Sequence, residues 1–279
     1  MTSTAQGTLS SFQHLTIHDA NGVVTCTMAN PPRHTLVARE VAELDQLIDA
    51  LEARDDVRVL IFTGAADGVF IAHYEVGELA VSAERSSTQP APEPTGAPPQ
   101  LHAFHRFILR LQRAPFVTIA AINGNTAGGG LEFALGCDFR LALAGDYRLG
   151  LPETSVGIIP GAGGTQRFAR LLGTARALDL ILHAQTMSPA DALACGLVHR
   201  VYDKNAFKPS VDAFAADLAS RAPIALAAAK RAIYEGSELP LVDALFVEQR
   251  EFDRCMASQD AATAMRSWLD GKPWQWQGR

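Results

Sequence analysis

The chain has 279 residues, 48% of them apolar and 19% charged, so it can bury a large core in one or two domains. A formal net charge of −6 argues against a nucleic-acid surface, which needs a basic face. No apolar run approaches the ~20 residues of a membrane helix, and the first basic residue is Arg33, so the start lacks the charge pattern of a signal or transit peptide.

In chain order, Met1 to Ser11 is small and polar and is expected to fray. Two strand-like runs follow between Phe12 and Met28, with Asp19 to Gly22 (Asp-Ala-Asn-Gly) as the hairpin turn. Asn30-Pro31-Pro32 interrupts regular structure. Val37, Val41, Leu44, Leu47, Ile48 and Leu51 then fall at helical spacing. Val57 to Thr63 is a nearly continuous β-type run, as for a strand buried on both faces. Residues 81–100 hold five prolines among Ser, Glu and Ala, and are expected to form a mobile loop inside the domain.

A helix is predicted over 101–112, with Leu101, Phe104, Phe107, Ile108 and Leu111 inward. Phe116 to Ile122 is a second buried strand. It leads into a Gly-rich segment and a short helix over 131–136. Asp138 to Ala144 and Tyr147 to Leu151 read as strands. Ser188-Pro189 is a helix start and Gly196 its end. Leu197 to Tyr202 is a short strand. Beyond it the chain is helical, with Leu241, Leu245, Phe252 and Met256 on one apolar face and three tryptophans near the end. The four cysteines (Cys26, Cys137, Cys195 and Cys255) form no CxxC pair and read as reduced thiols of a cytoplasmic protein. The prediction is an α/β core over 1–205 and a helical region over 206–279.

Two segments carry chemistry. Gly124-Asn125-Thr126-Ala127-Gly128-Gly129-Gly130-Leu131-Glu132 offers N–H groups and a carboxylate at a helix start. Leu151-Pro152-Glu153 delivers a second carboxylate ahead of the Pro/Gly-rich turn Gly157 to Arg167. N–H donors with two acids can hold an enolate and move protons beside it. Taken singly, the glycine run also reads as a structural turn and each glutamate as a solvated side chain. His102 and His105 share a helix face without a third ligand at a useful spacing, so no metal site is predicted. Neither a nucleophile elbow nor a dinucleotide or P-loop fingerprint is present.

In order and spacing, these pieces resemble the crotonase, or enoyl-CoA hydratase/isomerase, superfamily. The likeness runs through Val57 to Gly64, Phe70-Ile71-Ala72, Asn123-Gly124, Gly128 to Glu132, Cys137-Asp138, Pro152-Glu153, Gly157 to Arg167, Ser188 to Val201 and Ala222 to Lys230. It implies a spiral of ββα units with two roughly perpendicular sheets. It also implies a helical C-terminal region that builds trimers, sometimes paired as hexamers. The implied ligand is an acyl-CoA thioester, with no cofactor beyond the coenzyme A of the substrate.

By the same resemblance, the N–H groups of Tyr74 and Gly129 form an oxyanion hole, and Glu132 and Glu153 are the catalytic pair. Glu132 acts mainly on water and Glu153 mainly on the C2 proton. Arg33, His34, Ala72, His73, Gly128, Pro152 and Lys230 are the implied substrate-binding positions, with Lys230 reaching the CoA phosphates. The chain departs from the family at His73-Tyr74, where a small Gly-Ala pair is usual. A non-glycine residue at 73 suggests an altered loop, and Tyr74 can project over the acyl pocket. The implied reaction is hydration of a 2-enoyl-CoA. Isomerisation, decarboxylation, thioester hydrolysis and non-catalytic acyl-CoA binding are the alternatives.

Overall fold

The computed structural model describes residues 12–88 and 100–279. The expected frayed start, Met1 to Ser11, therefore lies outside the described residues. The chain opens with strands β1 (Leu15–Ala20) and β2 (Val23–Met28), paired antiparallel. Asn21 and Gly22 between them both take left-handed φ values, 54° and 77°, as the tight hairpin turn requires. Helix α1 (Ala38–Glu52) follows, burying Val41, Leu44, Leu47, Ile48 and Leu51 on its predicted face.

Three strand pairs then make the turns of a spiral. They are β3 (Val59–Gly64) with β4 (Gly68–Ile71), β5 (Val117–Ile122) with β6 (Gly124–Ala127), and β7 (Phe139–Leu143) with β8 (Leu149–Gly150). The first strand of each pair joins a six-stranded sheet of order β1-β2-β3-β5-β7-β10, where β10 is Arg200–Tyr202. The second joins a four-stranded sheet of order β4-β6-β8-β9, where β9 is Thr186–Met187. The predicted strand over Tyr147 to Leu151 shrinks to the two residues of β8.

The corner between sheets explains the Asn123-Gly124 pair. The Asn123 amide donates to the carbonyls of Gly64 (3.0 Å) and Ala66 (2.9 Å) and accepts from the Gly64 N–H (3.0 Å). A Cβ on Gly124 would overlap the Gly68 backbone, so only glycine lets the two turns cross there.

Each spiral turn ends in a helix: α2 (Val76–Thr88) and α3 (Ala103–Arg113) after β4, α4 (Gly129–Gly136) after β6, and α5 (Gly164–Leu172) after β8. Helix α2 corrects part of the expected loop. Residues 81–88 are helical because the stretch contains no proline before Pro90, and Glu78 and Arg85 suit its two ends. The rest of that loop prediction, 89–99, lies outside the described residues. On α3, Phe107, Ile108 and Leu111 are buried as predicted, but Leu101 precedes the helix and is exposed.

Residues of β3 alternate between two cores. Leu60 and Phe62 face the larger one, where Phe133 meets Phe62 edge-on at 4.9 Å. Val59 and Ile61 face the smaller one with Phe207, Val211 and Ala215 of α8 (Lys204–Ala219). Between α5 and α8 lie α6 (Thr174–Leu182) and α7 (Pro189–Ala194). Helix α7 starts with a reciprocal Ser188–Asp191 capping box, and Gly196 follows its end with φ 80°. Helices α9 (Pro223–Gly236), α10 (Leu241–Met256) and α11 (Gln259–Leu269) close the chain. The predicted apolar face of α10 is real but points outward, with Leu241, Leu245, Phe252 and Met256 all exposed.

Candidate active site

Two backbone N–H groups converge where β4 ends and α4 begins. Past β4, the chain makes a parallel bridge to Leu36. The Leu36 N–H donates to the His73 carbonyl, and the Glu75 N–H donates to the Leu36 carbonyl, both at 2.8 Å. That alternation turns the Tyr74 N–H to the opposite side, toward Gly129. A Cβ built on Gly129 would lie 3.3 Å from the Tyr74 nitrogen. Gly129 opens α4, where first-turn N–H groups have no intrahelical acceptor. Gly128, with φ 50°, turns the chain into that helix while its own N–H stays bonded to the Gly150 carbonyl at 3.0 Å. Among the described residues, neither the Tyr74 nor the Gly129 N–H has a hydrogen-bond acceptor.

The His73-Tyr74 departure leaves this loop intact. His73 is not among the residues with positive φ, so the position makes no demand that only glycine meets. Its Nδ1 lies 2.7 Å from the Tyr74 carbonyl, which can only accept, so the proton sits on Nδ1. The Tyr74 hydroxyl donates to Glu78 Oε2 at 2.9 Å, and its ring lies 6.1 Å from that of Phe104. Burial, and then the Glu78 carboxylate, push the phenol pKa upward.

Two carboxyl groups flank the N–H pair. Glu132, in the first turn of α4, is buried, and its Oε1 accepts from the N–H groups of Ala162 and Gly164, both at 2.7 Å. Burial raises its pKa, while those two donors and the Arg167 guanidinium oppose the rise. The two Gly-rich segments are thus joined through one carboxylate. Glu153 opens a 3-10 turn (Glu153–Val156) directly after Pro152. Its Oε1 is 3.0 Å from where a Cβ on Gly128 would stand, and its Oε2 is buried with no hydrogen-bond partner among the described residues. Burial first, and the nearby Glu132 charge as well, push its pKa up to about 7 against the pull of its own backbone N–H.

The turn holding Arg33 and His34 lies against the strand exit holding Ala72 and His73. The Ala72 N–H donates to the His34 carbonyl at 2.9 Å, and the Ala72 carbonyl accepts from the Ala127 N–H at 3.0 Å. Arg33 is exposed, and His34 sits at φ 54° with its Nδ1 buried and, among the described residues, unpartnered. Lys230 is a correction. Its ammonium does not reach outward to phosphate but is buried, 2.8 Å from Asp138 Oδ2 and donating to the carbonyls of Leu111 (2.8 Å) and Phe116 (2.9 Å). Sequence reasoning missed Ala162, Gly164 and Arg167 as partners of Glu132. The signal for the first two was the run of small residues in Gly161 to Gly164, where no side chain blocks approach to the backbone.

Comparison with known proteins finds relatives over most of the chain. The short-chain-enoyl-CoA hydratase of Clostridium acetobutylicum is 31% identical over 256 residues, 91% of this chain and 94% of that protein. The crotonyl-CoA hydratase of Syntrophomonas wolfei is 34% identical over 229 residues, covering 81% of this chain and 84% of that one. The crystal structure of an enoyl-CoA hydratase from Geobacillus kaustophilus superposes with a TM-score of 0.89 at 30% identity, over 97% of this chain and 98% of that chain. The enoyl-CoA hydratase/isomerase family profile matches residues 18–279, and the chain belongs to that family.

Proposed function

We propose that the protein adds water reversibly to a 2-enoyl-CoA thioester, as a hydro-lyase. The observation that carries this is the pairing of the buried Glu132 carboxylate and the half-buried Glu153 carboxyl beside the N–H groups of Tyr74 and Gly129, unengaged among the described residues. The thioester carbonyl oxygen binds between the two N–H groups, which hold the negative charge that grows there. Water is oriented by the carboxyl pair. Its oxygen bonds to C3 while its proton passes to Glu132, and the C2–C3 π electrons move into the enolate. Glu153 then gives its proton to C2. One molecule of water is added, and the pair holds one proton before the reaction and one after it, so the overall step balances without a cofactor. The two N–H donors on Glu132 suit an ionised carboxylate, and a Glu153 pKa of about 7 suits an acid at neutral pH.

Arg33, His34, Ala72 and His73 bind the coenzyme end, and Gly128 and Pro152 line the thioester. The exposed apolar side chains of α9 to α11, Ile233, Leu241, Phe246, Phe252 and Trp268 among them, support a homo-oligomer, either a trimer or a dimer of trimers. Among the described residues no helix is long and apolar enough to cross a membrane. Four unpaired cysteines support a cytoplasmic location, and the substrate class supports a place in fatty-acyl metabolism.

The test is the loss of conjugated enoyl absorbance with a panel of enoyl-CoA chain lengths, run beside Glu132→Gln and Glu153→Gln. Each variant should lose about 10²–10⁴-fold in kcat. Thioester binding without absorbance loss at any chain length would reject hydration. Variants as active as the wild type would reject the assigned pair.

A further inference from the structure

Tyr74 puts an aromatic ring where the resemblance expects a methyl group. We infer that this ring is the wall of the acyl pocket and restricts the protein to short acyl chains. The inference rests on the hydratase reading for the position of the thioester carbonyl.

The ring begins at the carbonyl site and is fixed at both ends. A Cβ on Gly129 would stand 2.8 Å from the Tyr74 Cβ, so the side chain departs from the point where the two N–H groups meet. At its far end the hydroxyl donates to Glu78 Oε2 at 2.9 Å. The same oxygen accepts the Ala38 N–H at 3.1 Å, which ties α2 to the start of α1. Helix α2 has no buried residue of its own, so this carboxylate is a principal anchor for it. Phe104 flanks the ring from α3, and the ring packs against the larger core.

The side on which the ring stands follows from α4. Gly129, whose Cβ position touches the Tyr74 Cβ, and Glu132 are three residues apart on that helix and so share a face. The Tyr74 and Glu132 side chains therefore start from neighbouring points of one helix face. Acyl carbons beyond C3 must leave along that carboxylate side, and the ring stands in their way. The ligand class this selects is a CoA thioester with a short acyl group.

The test uses saturated thioesters, so it needs no turnover. Isothermal titration calorimetry compares Kd for butyryl-CoA and octanoyl-CoA on the wild type, Tyr74→Ala and Tyr74→Phe. The Ala variant should shift the ratio of the two constants toward octanoyl-CoA by about tenfold or more, and the Phe variant should stay within about threefold of the wild type. If the Ala variant does not fold, Tyr74→Leu should shift the ratio in the same direction. An unchanged ratio in the Ala or Leu variant overturns the inference. So does a Phe variant that shifts as far as Ala, because the hydroxyl rather than the ring would then set the limit. Crotonyl-CoA hydration by the same wild-type preparation separates the two readings. Binding with no hydration rejects the hydratase assignment while the calorimetric ratio still decides the role of the ring.

Discussion

The direction of a peptide N–H is set by the backbone, and so Tyr74 can replace a small residue without loss of the donor. Its N–H is aimed by the bridge between Leu36 and residues 73–75. Gly129 is the position where that arrangement is most easily broken. Gly129→Ala would place a methyl group 2.8 Å from the Tyr74 Cβ and 3.3 Å from its nitrogen, forcing the two donors apart. Loss of one donor should lower kcat about 10²–10³-fold, measured by steady-state hydration of crotonyl-CoA. Glu153 gives a second expectation. Its carboxyl, at about 7, is protonated below that pH and ionised above it. Both directions of the reaction run on the pair holding a single proton, so kcat/KM should fall about tenfold per pH unit above neutrality for hydration and dehydration alike. A pH profile flat to the alkaline limit would contradict it. Glu132, Glu153 and Gly129 were legible in the sequence because each sits inside a local motif. The donors to Glu132 were not, because Ala162 and Gly164 reach it only after the chain has folded back.

At the scale of elements, local patterns were read well and long-range ones poorly. The Asn21-Gly22 hairpin, the apolar face of α1 and the Ser188 cap are decided within a few residues of sequence. Helix α2 was missed because its Pro-rich neighbour 90–99 dominated the composition of the window, although 76–88 contains no proline. Lys230 was misplaced for the opposite reason. A lysine on a helix is ordinarily solvated, and only tertiary structure brings Asp138 to within 2.8 Å of it. Lys230→Ala should leave the Asp138 carboxylate, only 11% exposed, without its counter-charge at a cost of about 3–5 kcal/mol. For a chain of this size that is a fall in thermal midpoint on the order of 10 °C, with CoA affinity unchanged by calorimetry. A stable variant with weakened CoA binding would restore the phosphate role.

Over the whole molecule, the first strand of each spiral turn is legible in the sequence, but β4 and β6 carry no strand pattern of their own, and the assignment of alternate strands to two sheets shows in the pairings. The outer faces of α9 to α11 carry more large apolar side chains than a lone chain keeps in water. Size-exclusion chromatography with light scattering should therefore give a multiple of the chain mass, and Phe246→Asp with Phe252→Asp should reduce it. The Lys230–Asp138 pair has a further consequence, for synthesis on the ribosome. The Asp138 carboxylate holds the Thr118 N–H (2.7 Å) and hydroxyl (3.0 Å) of β5 at once, yet its cation belongs to α9, late in the chain. Every spiral strand is translated before that ammonium emerges. The spiral can therefore reach its final packing around Asp138 only once the last fifth of the chain, which holds Lys230, has been made.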